Sequence, residues 1–217
     1  MGFFQIALDG PAGAGKSTIA KTLAKELNFT FINSGAIFRC ICIAVIDSGI
    51  TITDNKEIAN LLPSLSIGQK GDTIYLNNVD VSERSRANEI SSIVPIIAKI
   101  PEVRTFAVDA QRKIAETDNI VVEGRDTTTV VFPNATMKCW VFADPKIRAE
   151  RRWIETGKKV SLDVIYHDLV LRDKLDTERE IGAMKKAVGA FELDTSNKSI
   201  TECIEILRKE FNKISNN

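Results

Sequence analysis

Residues 10–17, Gly-Pro-Ala-Gly-Ala-Gly-Lys-Ser, constrain the fold of this chain more than any other stretch. They satisfy every fixed position of the phosphate-loop pattern G-x-x-x-x-G-K-[ST]. Residues 3–8 ahead of them form a short, mostly apolar run with the length of a buried strand, and Ile19, Leu23, Ala24 and Leu27 behind them recur at helical spacing. Strand, loop and helix in that order are the setting in which the pattern has a mechanism. The glycines let successive N–H groups and the helix N-terminus face an anion, Lys16 adds a mobile charge, and Ser17 offers a hydroxyl to Mg2+. A glycine-rich turn before an ordinary amphipathic helix is the plainer alternative, and it leaves the full match in this setting unexplained.

The rest of the chain alternates strand and helix signals. Residues 29–32 read as a second buried strand, a helix from about 36 to 48 carries Arg39, and Asp54 with Glu57 forms a capping box that opens a short helix through Leu62. Between 64 and 81 the segments shorten and alternate, 65–67 and 73–76, with turns at 70–72 and Asn77-Asn78, which predicts a small inserted antiparallel sheet. Helices are predicted over 83–98 and from Pro101 to about 116. Residues 119–122 read as the central strand and deliver Glu123-Gly124-Arg125-Asp126 to its carboxyl end, where open α/β sheets bind ligands. There follow a strand at 138–142, an arginine-rich helix from Pro145, a polar connector at 156–159, a long helix from 161 to about 181, a strand at 191–195 and a helix capped by Ser199 and Glu202. Only the last few residues look frayed. This order implies a parallel sheet with helices on both faces.

Length and composition narrow the class. A chain of 217 residues suits one large α/β domain with a smaller insertion. Lys+Arg and Asp+Glu both total 29, so no basic field argues for nucleic acid. No apolar run approaches the roughly 20 residues needed to span a bilayer, and no signal-peptide pattern opens the chain. Cys40, Cys42, Cys139 and Cys203 match neither zinc nor disulfide spacing, and read as reduced thiols of a cytoplasmic protein.

A phosphate loop predicts a bound nucleoside triphosphate and leaves its purpose open. Phosphoryl transfer between two anions needs cations, and arginine's planar fork binds phosphate oxygens in pairs. Arg39, Arg104, Arg125, Arg172 and Arg179 fall at predicted strand ends and helix starts, with Arg148, Arg151 and Arg152 in a separate cluster. Arg125, directly after a buried strand, departs furthest from an ordinary solvated arginine. Arg172, Asp176 and Arg179 at i, i+4 and i+7 share one helix face, as an exposed salt-bridge ladder or as a ligand site. Asp126 and Asp176 are suited to accept hydrogen bonds from a ligand's amino or hydroxyl groups. His167, the sole histidine, reads as a surface residue.

This set resembles the bacterial cytidylate kinase family over almost the full length. The matching segments are 8–17, 34–39, 100–104, 123–126 with 129–133, 148–152, Arg172-Asp173 with Asp176 and Arg179, and 193–195. The resemblance implies a three-layer α/β P-loop kinase fold with a five-stranded parallel sheet, a small antiparallel-sheet insertion in the monophosphate-binding region and a helical lid. It implies one kinase domain over 1–217, with core at 1–34, 100–150 and 182–217, a monophosphate-binding region at 35–99 whose small sheet lies at about 64–81, and a lid at 151–181. The implied activity is ATP-dependent phosphorylation of CMP and dCMP by direct in-line transfer, within pyrimidine metabolism. Lys16, Arg39, Arg125 and Arg179 would be catalytic. Gly10, Pro11, Ala12, Gly13, Ala14, Gly15, Lys16, Ser17 and Thr18 would hold ATP with Arg148 and Arg152. Arg148, Arg151 and Arg152 would belong to the lid side that closes over the triphosphate, and Ser17 would meet Mg2+. Arg39 and Arg125 would hold the acceptor phosphate, Ser34, Arg104, Asp126 and Arg179 would line the cytosine site, and Arg172 with Asp176 would meet the ribose. The expected partners are these small molecules alone, with no nucleic acid or membrane, and the expected state is a monomer. The chain departs from the family pattern at Asn33 (usually aspartate), Phe38 (tyrosine), Pro95 (serine), Thr128 (glycine) and Ala183 (proline). Alternative readings are another acceptor such as UMP or shikimate, a nucleotide-gated switch, and a catalytically weak relative.

Overall fold

The computed structural model describes residues 2–215, so the fraying expected at the last few residues falls partly outside the described positions. The chain divides into two compact units, Met1–Phe31 with Asp118–Asn217, and Ile32–Thr117. Its larger sheet has five strands: β1 (Gln5–Asp9), β2 (Thr30–Asn33), β6 (Ile120–Gly124), β7 (Met137–Phe142) and β8 (Phe191–Asp194), in the order β2-β6-β1-β7-β8. The sheet is parallel, with helices on both sides. β1 lies at the centre, with Asp9 opposite Gly124 on β6 and Trp140 on β7.

In the first unit, Ile6 and Leu8 project from one face of β1 with Val121, Cys139, Val141 and Leu193 of its neighbours. Onto that face pack α1 (Lys16–Leu27) through Ile19 and Leu23, and α8 (Ile200–Ser215) through Leu207 and Phe211. α8 opens as predicted: Ser199 Oγ accepts from the Glu202 N–H at 3.2 Å, and the Glu202 carboxylate accepts from the Ser199 N–H at 2.8 Å. α6 (Pro145–Glu155) and α7 (Leu162–Thr177) form an antiparallel pair around Ala149, Ile165 and Leu169.

The second unit is built around α2 (Ser34–Asp47), whose residues 40–45 are all buried. A helix apolar on nearly every side must be enclosed, and it is: α3 (Asn55–Leu61), α4 (Asn88–Ile97), α5 (Pro101–Ala115) and a small antiparallel sheet contribute to its core. That sheet is β3 (Ile67–Lys70), β4 (Thr73–Leu76) and β5 (Val79–Asp80), with Asn77 and Asn78 at φ +50° and +66° in the tight turn predicted for them. All four cysteines are buried and free, Cys40 and Cys42 here, Cys139 and Cys203 in the first unit.

Three sequence expectations are corrected. The strand placed at 65–67 is Ile67–Lys70, because Ser66 gives its N–H to Asn77 Oδ1 and closes the end of the sheet. The helix placed at 83–98 is a short turn at Arg84–Arg86, an extended Ala87, and then α4. The helix placed at 161–181 ends at Thr177, so Arg179 lies beyond it; the Asp176 carbonyl takes its bond from the Met184 N–H instead of continuing the helical ladder.

Candidate active site

β1 ends at Asp9, and the loop begins where only glycine fits. Gly10 has φ +148°, and a Cβ on it would stand 1.9 Å from the Val141 carbonyl oxygen on β7. Gly13, at φ +74°, would place a Cβ 3.2 Å from both the Cβ and the carbonyl oxygen of Arg148 on α6. Side chains here would push the loop off the strand and helix that shape it. Lys16 begins α1, is buried, and donates to the Pro11 carbonyl at 2.7 Å. Burial strips water from its ammonium and Arg125 opposes its charge; Glu123, Asp9 and Asp173 offset part of this, leaving its pKa lowered to about 7. Ser17 donates its hydroxyl to Glu123 Oε1 at 2.9 Å.

The crest of the loop is gripped from the α6–α7 pair. Asp173 Oδ1 accepts from the Ala12 N–H at 3.0 Å, and Arg148 donates to the Ala12 carbonyl at 2.8 Å and to Asp173 Oδ2 at 2.5 Å. Arg148, expected among the groups closing over the triphosphate, is therefore buried against the loop backbone. Arg151 reaches Thr195 Oγ1 at 3.0 Å, and that hydroxyl donates to the Ala14 carbonyl at 3.0 Å. Arg152 is exposed and pairs with Glu155 at 3.4 Å.

Beyond β6, Arg125 donates through Nε to Asp176 Oδ2 at 2.8 Å, and Arg179 pairs with the other oxygen of the same buried carboxylate. The two arginines and Asp176, separate in sequence, thus form one cluster, and Arg125 lies close enough to Lys16 to lower its pKa. Arg172 is half-buried on α7, and Asp126 is buried. Asp126 opens a wide turn, Thr127–Val131, closed by the Val130 N–H donating to the Asp126 carbonyl at 2.8 Å. Asp9, with no solvent exposure, accepts from the Thr127 N–H (2.9 Å) and hydroxyl (2.7 Å) and from the Thr128 N–H and hydroxyl (both 2.6 Å).

The second unit carries Ser34, Arg39 and Arg104. Ser34 is buried at the start of α2, where Asn33 Oδ1 accepts from the Ala36 N–H at 3.1 Å; asparagine thus caps the helix as an aspartate would, without the charge. Arg104 is buried on α5, donates to the Ala98 carbonyl at 3.4 Å, and lies 5.8 Å from the Phe38 ring centroid. The Phe38 ring therefore offers this cation its π face. Pro95 lies inside α4.

The cytidylate kinase family profile matches residues 6–213. The chain belongs to the cytidylate kinase family. A cytidylate kinase from Fusobacterium nucleatum subsp. nucleatum is 41% identical over 96% of this chain and 97% of its own. One from Clostridioides difficile is 39% identical over 98% of this chain and 100% of its own. Among solved structures, an uncharacterized protein from Eubacterium ventriosum matches with a TM-score of 0.58 at 12% identity, covering 96% of this chain and 98% of its own, a likeness of fold alone. Cytidylate kinases are phosphotransferases, and this member carries its phosphate loop and a pair of arginines on one buried carboxylate in one unit.

For a cytidylate kinase, three carboxylates at this site had no role in the sequence reading: Asp9, Glu123 and Asp173. A signal for two of them existed, since Asp9 and Glu123 are charged residues closing otherwise apolar strands, positions where a charge must find partners. Ser17 and Glu123 together offer the hard oxygen donors that Mg2+ takes alongside substrate phosphates. Among the described residues there is no cluster of three or more His, Cys, Asp or Glu able to hold a metal, and no helix is long and apolar enough to cross a membrane.

Proposed function

We propose that the protein transfers the γ-phosphoryl group of ATP to CMP, and to dCMP, giving ADP and the nucleoside diphosphate. The observation that carries this reading is the Arg125–Asp176–Arg179 cluster, two arginines on one buried carboxylate, in the same unit as Lys16 and the phosphate loop. A triphosphate-binding loop with a second cationic group beside it suits two phosphate-bearing substrates. The names of the relatives support the choice of CMP. Lys16 and the loop N–H groups would bind the donor phosphates, Arg39 and Arg125 the acceptor phosphate, Ser34, Arg104 and Asp126 the base, and Arg172 with Asp176 the ribose. Arg148 is read as holding the loop's shape rather than as a lid group, and Arg152 remains a lid-side contact for ATP.

An acceptor-phosphate oxygen attacks the γ-phosphorus, the bond from that phosphorus to the β–γ bridging oxygen breaks, and ADP leaves with no covalent enzyme intermediate. The protein's part is positioning and charge stabilisation. Mg2+, held by Ser17 and Glu123 with the donor phosphates, would supply charge neutralisation on the polyphosphate. We read the enzyme as a cytoplasmic monomer of pyrimidine metabolism, with residues 35–99 as the monophosphate-binding region and 151–181 as the lid.

An ADP-release assay over CMP, dCMP, UMP and shikimate tests the acceptor. CMP and dCMP should give the highest kcat/KM, and a best substrate lacking cytosine would overturn the assignment. Light scattering at working concentration checks the monomer.

A further inference from the structure

Asp9 stands immediately before the phosphate loop, and its side chain bonds outward, to the turn that follows Arg125 and Asp126. An ionised carboxylate accepts at about four lone-pair positions, and Thr127 and Thr128 fill them with two N–H groups and two hydroxyls at 2.6–2.9 Å. Asp9 therefore has no oxygen left for a metal, a water or a substrate. Its backbone is fixed on both sides, paired with Gly124 on β6 and Trp140 on β7. The turn it holds is short and wide, Thr127–Val131, and its closing bonds run to the Asp126 carbonyl. If the Asp9 bonds are lost, the part free to move is the turn, together with Arg125 and Asp126 at its start, while the loop stays anchored by the sheet.

We infer that Asp9 is a positioning residue for the acceptor side of the reaction, and that Thr127 and Thr128 are the teeth by which it sets where Arg125 and Asp126 stand relative to the phosphate loop. This rests on the acceptor roles proposed above for those two residues. The Thr128 hydroxyl supplies one of the four bonds to Asp9. Two backbone N–H groups and two hydroxyls satisfy this wholly buried carboxylate, and the geometry they fix cannot slide.

The test is Thr128→Val, which keeps the branched shape and deletes one hydroxyl, with Thr128→Ser as its rescue. A displaced catalytic group lowers rate steeply, so Thr128→Val should lower kcat and raise KM for CMP by about 3–30-fold together, with KM for ATP within about twofold of wild type. Thr128→Ser should restore both. Asp9→Asn, which turns an NH2 group toward donors, should give the same split more strongly; if it fails to fold, the Thr128 pair decides. Equal changes for ATP and CMP, a loss that Thr128→Ser does not restore, or no change at all would overturn the inference. Wild-type enzyme inert toward CMP would instead overturn the activity itself, and this inference with it.

Discussion

Lys16 carries its charge at a cost that pH can expose. Its pKa is lowered from 10.5 to about 7 by burial and by Arg125. Between those two values the unfolded chain holds a proton that the folded, ligand-free protein lacks, so stability rises with pH across that window. Below about pH 7 the penalty is present in full. Lys16→Met should therefore raise the Tm of the ligand-free protein by about 4–8 °C at pH 6, the equivalent of about 2 kcal/mol in a chain of this size, with the gain shrinking toward pH 10. Turnover should fall by at least about 100-fold in the same variant. Thermal unfolding at several pH values beside the ADP-release assay checks both. A stabilising change that abolishes activity marks a residue kept for its ligand. The phosphate loop was legible from its pattern, whereas the long-range contacts around it were not. Asp9 meets Thr127 across 118 residues, Ser17 meets Glu123 across 106, and Ala12 meets Asp173 across 161. No local spacing rule reaches that far, so the sequence marks such carboxylates as needing partners without saying which.

At the scale of elements, periodicity and caps located most helices and strands, and errors fell where a tertiary contact ended an element early. β1 and α1 declared themselves by an apolar run and a helical repeat on either side of the loop. The end of α7 did not, because residues 178–181 carry no Gly or Pro to stop a helix; the stop comes from Arg179 folding back onto Asp176 and from the Met184 N–H taking the Asp176 carbonyl. Asp176 and Arg179 were thus grouped for an incomplete reason, since Arg179 reaches the carboxylate from beyond the helix. The reciprocal cap of α8 is the opposite case, wholly local and wholly legible. Ser199→Ala removes the hydroxyl that accepts from the Glu202 N–H. It should cost about 1 kcal/mol, or about 2–4 °C in Tm, with kcat and both KM values unchanged, because the cap touches nothing at the site. Differential scanning fluorimetry with steady-state kinetics checks this.

Over the whole molecule, two cores divide the work of folding, one around β1 and α1, the other around α2. The sequence foresaw the small sheet inserted at 64–81 but not that residues 32–117 enclose a helix of their own. Ile37, Ile41 and Val45 follow a helical repeat that fits packing on a sheet as readily as packing among helices. The four buried thiols now become a clock in each half. Burial pushes Cys40 up to about 11 and Cys42 up to about 12, and raises Cys139 and Cys203 as well, so none offers a thiolate near neutrality. Alkylation of the native protein should therefore wait for opening, and each modified peptide reports which unit opened. Labelling that proceeds at one common rate for all four would mean that the halves unfold together. Faster modification of Cys40 and Cys42 would mean that the α2 unit opens alone, and mass spectrometry over a time course of iodoacetamide distinguishes the two. Saturating ATP should slow Cys139 and Cys203, which lie in the unit that carries the phosphate loop. Four buried thiols thus give this kinase its own record of when, and in which half, it breathes.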